Sequence, residues 1–231
     1  MNQGQPGKEP GQQPGQRDGK VRTFVAVPLP AEARTAILGA AQRLSAGLPD
    51  IKWSRKAESL HITLSFLGQV DEGQLARFAA ALGGALGPRP RFEVELRGFG
   101  AFPSVRDAQV VWVGVEDPMR RLGEVARVVE EVADRLGVGK SDKQTDKKAE
   151  QRDFRPHVTV GRIPRRSRRG PDAAEALAPW SQHGFGTVSV TEIDLYESIT
   201  GGDASTYVLR GKAMLEGATH GDGQEREQGI N

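Results

Sequence analysis

Two of the four histidines sit in the same local setting, Leu60-His61-Ile62-Thr63-Leu64 and Pro156-His157-Val158-Thr159-Val160. In a strand, residues i and i+2 share a face, so His61 and Thr63 point to one side while Ile62 and Leu64 enter a core. The second copy repeats this with His157 and Thr159. One H-x-T alone says little, because a solvated His and Thr on an amphipathic strand give the same pattern. With ten Thr in 231 residues, chance puts a Thr two places after two of four His only about once in a hundred. Two imidazoles facing one atom suit a reaction that removes one proton and supplies another, roles open to a group with an ordinary pKa of about 6.5. Hydroxyls at the +2 positions donate to a developing oxyanion. In-line attack at phosphorus needs this set: a base for the nucleophile, an acid for the leaving oxygen, and donors for the equatorial oxygens.

The elements that must hold these groups follow from periodicity. Residues 24–27 are a short apolar run closed by Pro28 and Pro30, a buried strand with a stop. Residues 31–48 carry Ala33, Ile37, Ala40, Ala41 and Leu44 at helical spacing. Strands are expected at 51–53 and 60–67, and a helix at 71–86 with Asp71 as its N-cap. Residues 91–96 and 109–115 read as strands, and 119–136 as an amphipathic helix. Residues 137–152 hold almost no apolar side chains and read as a mobile polar loop. A strand at 154–161, a short helix at 172–178, and strands at 188–196 and 206–215 follow. The pattern runs twice, with the motif histidines 96 residues apart and Phe102 and Tyr196 94 apart. A duplicated α+β unit with antiparallel sheets is the inference. A pseudo-two-fold relation between its halves sets His61 and His157 on opposite sides of a cleft.

Composition narrows the classes. Residues 1–20 and 217–231 are rich in Gly, Gln and charge and lack the apolar content that offsets ordering entropy, so both are expected to be disordered tails. The foldable part is residues 21–216, enough for a substantial core. With no Cys there is no disulfide framework, thiolate zinc site, iron–sulfur cluster or cysteine nucleophile. Apolar runs such as 110–115 fall far short of the about 20 residues that span a bilayer. The N-terminal stretch has no hydrophobic region of a secretory signal. The expectation is a cytoplasmic protein with no membrane partner. The net charge of +2 does not argue for nucleic acid, so any electrostatic argument must be local.

The segments SLHITLSFLG and FRPHVTVGR resemble the paired signatures of the two-histidine (2H) phosphoesterase superfamily. The resemblance is closest to its bacterial and archaeal RNA 2',3'-cyclic phosphodiesterases, originally described as 2'-5' RNA ligases. RTFVAVPLP, IKWSRKAESLHITLSFLG, GFGAFPS and LYESI fall where that family has similar segments, so the resemblance spans residues 22–215. It implies a bilobal duplicated unit with two antiparallel β-sheets flanked by helices and an active-site cleft between the lobes. It also implies a metal-independent hydrolase, without a cofactor, that opens RNA 2',3'-cyclic phosphate ends to 2'-phosphomonoesters. By the same resemblance His61 is the proton donor, His157 the proton acceptor, Thr63 and Thr159 hold the non-bridging oxygens, and Arg162 binds the phosphate.

Arg162, Arg165, Arg166, Arg168 and Arg169 crowd the stretch after the second motif. They are either a solvated loop or a contact to RNA phosphates that weakens with salt. Among the aromatics able to stack on a base, Trp53 and Phe66 are expected to pack in the core. Phe102 and Tyr196, which end strands near the cleft, are the candidates for substrate contact. His183 and His220 lack the neighbours of a site and are expected to be solvated. Neither motif His has a second ligand at metal-site spacing, so no metal is expected. The partner is RNA with a 2',3'-cyclic phosphate end, bound by a monomer. Two alternatives stand: the same site acting as a 2'-5' RNA ligase or on a small cyclic phosphate, and a non-catalytic RNA-end-binding module.

Overall fold

The structure, a computed structural model, describes residues 19–139, 154–164, 169–201 and 204–217. The expectations for Arg165, Arg166, Arg168 and His220, for residues 140–152, and for nearly all of the two tails lie outside these residues.

Pro28 closes β1 (Lys20–Pro28), and α1 (Ala31–Ser45) follows at once, its first turn fixed by the Arg34 N–H on the Pro30 carbonyl. The residues it buries are the five predicted from helical spacing. After β2 (Lys52–Trp53), β3 (His61–Asp71) runs into α2 (Glu72–Leu86). Asp71 Oδ1 accepts from the Gly73 N–H at 2.9 Å, the expected cap, a type of contact worth about 1 kcal/mol. β4 (Phe92–Ser104) and β5 (Asp107–Glu116) form a hairpin, and β4 continues well past the alternating stretch that marked it in the sequence. α3 (Arg121–Leu136) buries Leu122, Val125, Val128, Val129 and Val132; a fully buried Val or Leu contributes about 1.5–3 kcal/mol of transfer free energy. Gly137 takes a positive φ of 67° to end this helix, and Val138 tucks into the core with its N–H on the Ala133 carbonyl. β6 (His157–Arg162), α4 (Ala174–Leu177), β7 (Gly184–Val190), β8 (Glu192–Gly201) and β9 (Ala204–Met214) complete the chain.

The strand expected at residues 188–196 is two strands, broken at Thr191. Its parts belong to distant places in the sheet: β7 pairs with β4, whereas β8 pairs with β1 and β9. The sheet order is β7-β4-β5-β6-β3-β1-β8-β9, antiparallel throughout, with β2 added on β6. Its two halves, β7-β4-β5-β6 and β3-β1-β8-β9, meet through the single pair Ile62↔Val158. The result is a curled antiparallel sheet with flanking helices, in the α+β class. α1 packs on β6 and β7, while α2 and α3 pack on each other and on β9 and β3. The halves exchange a hairpin: β4 and β5 follow the His61 strand in sequence but lie in the His157 half, and β8 and β9 do the reverse. Among the described residues no helix is long and apolar enough to cross a membrane.

Candidate active site

Both motif histidines are the first residues of their strands, β3 and β6. Pro156 biases Arg155 to extended backbone, and the Arg155 carbonyl lies 2.8 Å from His157 Nδ1. A carbonyl only accepts, so Nδ1 carries the hydrogen and Nε2 is the nitrogen left for chemistry. A tight turn at Ala57–Ser59 delivers His61, which makes a backbone hydrogen bond with Ser59. Each imidazole is thus tied to the residue two places before it, the same device in both halves.

The alternation predicted for the motifs holds. Ile62, Leu64, Val158 and Val160 are buried in the core, while His61, Thr63, His157 and Thr159 are half-buried on the other face. Continuing the Ile62↔Val158 register places His61 across from Thr159 and Thr63 across from His157. Arg162, at the end of β6, donates from Nη2 to Thr159 Oγ1 at 3.4 Å. Of the five arginines, Arg162 is therefore at the motif; Arg169 is exposed.

The electrostatics tie these groups together. Burial, and after it the Arg162 guanidinium, pulls His61 from 6.5 down to about 4; the bond to Ser59 opposes this and the charge of His157 adds to it. Burial also lowers His157, against the bond to Arg155 and with the help of Arg162. Between pH 6.5 and about 4 the unfolded chain binds a proton at His61 that the folded chain does not. Stability is therefore full above that window and falls through it by about 3 kcal/mol as pH drops. His61→Gln removes this share, so Tm followed from pH 7 to 4 is expected to decline less steeply than in the wild type; parallel curves would contradict a buried neutral His61.

Aromatic rings flank each histidine. Phe24 stacks on His61 at 4.8 Å between centroids, with Tyr207 edge-on at 5.2 Å and Tyr196 at 6.3 Å. Phe102 meets His157 edge-on at 5.1 Å, and Trp112 lies 6.4 Å away. Phe102 and Tyr196 each lie beside the histidine of the other sequence repeat because of the hairpin exchange. The Tyr196 hydroxyl donates to Asp194 Oδ2 at 2.7 Å. Asp194 is only 3% exposed, and burial pushes its carboxyl upward; burial and Asp194 together push the Tyr196 phenol upward.

Sequence reasoning missed Phe24, Trp112 and Tyr207. Phe24 sits in an apolar run that reads as core, yet it is buried under Tyr196 and Tyr207 rather than under helices. Trp112 lies flat over Gly100, where a Cβ would fall 2.2 Å from the indole; Gly100 in GFGAFPS was the available signal. Phe66, expected in the core, is 67% exposed. The register slips from Ala26↔Thr63 to Val25↔Ser65, so Leu64 is an extra β3 residue and Phe66 turns to the face of Thr63, within 6.0 Å of Phe24. Trp53 packs on the core as expected, its indole N–H on the Leu48 carbonyl. His183 is exposed, its ring against Trp180 and Phe185. Among the described residues no three His, Asp or Glu side chains are grouped as metal ligands.

Residues 27–112 match the family described as LigT like phosphoesterase. The chain is 35% identical over 179 residues to the RNA 2',3'-cyclic phosphodiesterase of Archaeoglobus fulgidus, covering 78% of this chain and 92% of that protein. It is 31% identical to the protein of the same name from Methanothermobacter thermautotrophicus, over 78% of this chain and 90% of the other. Among solved structures, E. coli LigT complexed with 3'-AMP superposes with a TM-score of 0.61 at 28% identity, covering 85% of this chain and 98% of that one. Similarity of this extent, 35% identity covering 92% of a relative, makes the chain a member of the LigT-like phosphoesterase family of the 2H superfamily.

Proposed function

We propose that the chain hydrolyses 2',3'-cyclic phosphate ends of RNA to 2'-phosphomonoesters by general acid–base catalysis between His61 and His157, without a metal. The observation that carries the proposal is the pair of imidazoles on either side of Ile62↔Val158, each tethered to backbone and each across from the other motif's threonine. The names of the archaeal relatives support the substrate. So does the E. coli structure complexed with 3'-AMP, a ribonucleotide with its phosphate at the reacting end.

In this reading Nε2 of His157 takes a proton from water as its oxygen bonds to phosphorus. The P–O3' bond breaks, and His61 gives its proton to the departing 3' oxygen. The two protonation states are then exchanged, and solvent restores them. Thr63, Thr159 and Arg162 hold the non-bridging oxygens, and Tyr196 and Tyr207, backed by the buried Phe24, offer the terminal base an aromatic wall. An acid with a pKa of about 4 in the empty site is neutral at pH 7. The anionic phosphodiester offsets the field of Arg162 and raises the proton affinity of His61 in the complex. A second reading exchanges the roles, because His61 is depressed further than His157 and an acceptor is the group that should be neutral. A monomer in the cytoplasm suffices for either reading, since one chain carries both motifs.

The test is turnover of an oligoribonucleotide ending in a 2',3'-cyclic phosphate, with the 2'-phosphate product identified by mass and phosphatase sensitivity. Full activity is expected in excess EDTA. Activity that EDTA abolishes and added divalent metal restores would end the metal-free reading.

A further inference from the structure

The ladder between β1 and β8 runs from Ala26↔Asp194 to Thr23↔Glu197 and stops, although β1 continues to Lys20 and β8 to Gly201. Where the two strands part they leave a notch of ≈ 280 Å³ whose lining includes Lys20, Arg22, Gln69 and Ser198. Two cations, an amide and a hydroxyl are donors suited to phosphate oxygens. The acid in the lining, Glu197, is 6% exposed and already faces Arg210 at 3.5 Å, so its charge is answered from the other side.

The notch also adjoins the histidine site. Arg22 shares a face of β1 with Phe24, and Ser198 shares a face of β8 with Tyr196 and pairs with Tyr207. The surface thus runs from His61 across its aromatic wall to Arg22 without leaving one face of the sheet. Ala26, which pairs with Thr63, lies four residues from Arg22 along β1, about 13 Å at strand spacing. A terminal 2',3'-cyclic phosphate leaves the RNA only one way to continue, through its 5' oxygen. A chain with its end at Thr63 and its base on the aromatic wall therefore carries its next phosphates toward the notch.

We infer that the notch between β1 and β8 is a second phosphate subsite, which takes a backbone phosphate 5' of the reacting end and directs the protein to oligoribonucleotides over cyclic mononucleotides. The inference rests on the hydrolase reading above. A cyclic mononucleotide has one phosphate, held at the histidines, and nothing to place in the notch.

The experiment compares kcat/KM for a hexaribonucleotide ending in 2',3'-cyclic phosphate with that for a nucleoside 2',3'-cyclic monophosphate, in the wild type and in the Lys20→Gln/Arg22→Gln double variant. The wild type is expected to favour the hexamer. The double variant is expected to lose about tenfold on the hexamer, chiefly through KM, with the salt slope of log KM smaller by about 0.7 for each phosphate no longer neutralised. The mononucleotide rate serves as the folding control and stays within a factor of about two, since the substrate leaves the notch empty. Equal losses on both substrates, or no loss on the hexamer, overturn the inference. Should the wild type turn over neither substrate, the hydrolase reading fails by itself. Anisotropy with a labelled 3'-phosphorylated hexamer then decides the subsite: weaker, less salt-sensitive binding by the double variant supports it, and unchanged binding refutes it.

Discussion

His157→Ala is expected to lower kcat/KM on a cyclic-phosphate-ended RNA by about 10²–10⁴, the usual contribution of a positioned general acid or base, and His61→Ala to fall in the same range. The double variant should lose little more than either single one, because an acid and a base that act on one phosphorus work as a unit. The residual activities carry more information than their size. In each single variant the remaining imidazole titrates alone, so activity that fades as pH rises marks it as the donor, and activity that fades as pH falls marks it as the acceptor. The wild-type bell cannot make this distinction, since its limbs stand at the same two pKa values whichever group does which job. Both side chains are half-buried against rings, so near-ultraviolet dichroism should accompany the rates to show that the packing survives. Losses under about tenfold in both variants would remove the pair from the chemistry.

Arg162→Ala is expected to produce the next largest loss, about 10²–10³ in kcat, the cost of taking away one fixed donor from charge that develops in the transition state. It has a second signature that a merely structural residue would lack. Arg162 depresses both histidines, so its removal raises both pKa values, and both limbs of the kcat/KM profile are expected to move to higher pH. Arg162→Lys should keep most of the pH profile, because the charge stays. It should restore only part of kcat, because an ammonium lacks the planar fork of the guanidinium. A falling rate with an unmoved profile would assign Arg162 to packing on Thr159 rather than to the field at the histidines.

How far the sequence reached can be judged from these same residues. Alternation over Leu60–Leu64 and Pro156–Val160 was enough to assign which side of each strand enters the core and which side carries the histidines and threonines, because burial on one face leaves no freedom in a period-two pattern. Helix positions followed from equally strict rules, down to the Asp71 cap. What could not be read was which strand lies beside which. Phe102 and Tyr196, expected at strand ends, lie within the longer β4 and β8, and no local signal says that the β4–β5 hairpin leaves the His61 half for the His157 half. Phe66 failed for a related reason: one extra residue in β3 reverses the facing of a strand, and a bulge depends on its partner's register. Phe24 was misjudged because an apolar run does not say which of its faces lies under Tyr196 and Tyr207. The strand break at Thr191 belongs to the same class, since continuous β-propensity hides a change of partner.

The hairpin exchange reaches beyond the site to how the chain must fold. β1 finds its β8 partner only after nearly all of the described chain exists: Thr23 lies beside Glu197. Neither sequence repeat can complete its own sheet, so a gene fragment that ends in the β4–β5 turn would leave β1 with a bare edge and β4 without a sheet to join. Pairings this distant in sequence slow the search for the native topology. The same pairings bind the two repeats into one cooperative unit, for which the expected unfolding is a single transition seen identically by far-ultraviolet dichroism and by tryptophan fluorescence. The repeat legible in the primary structure is thus not a plan for two separable parts.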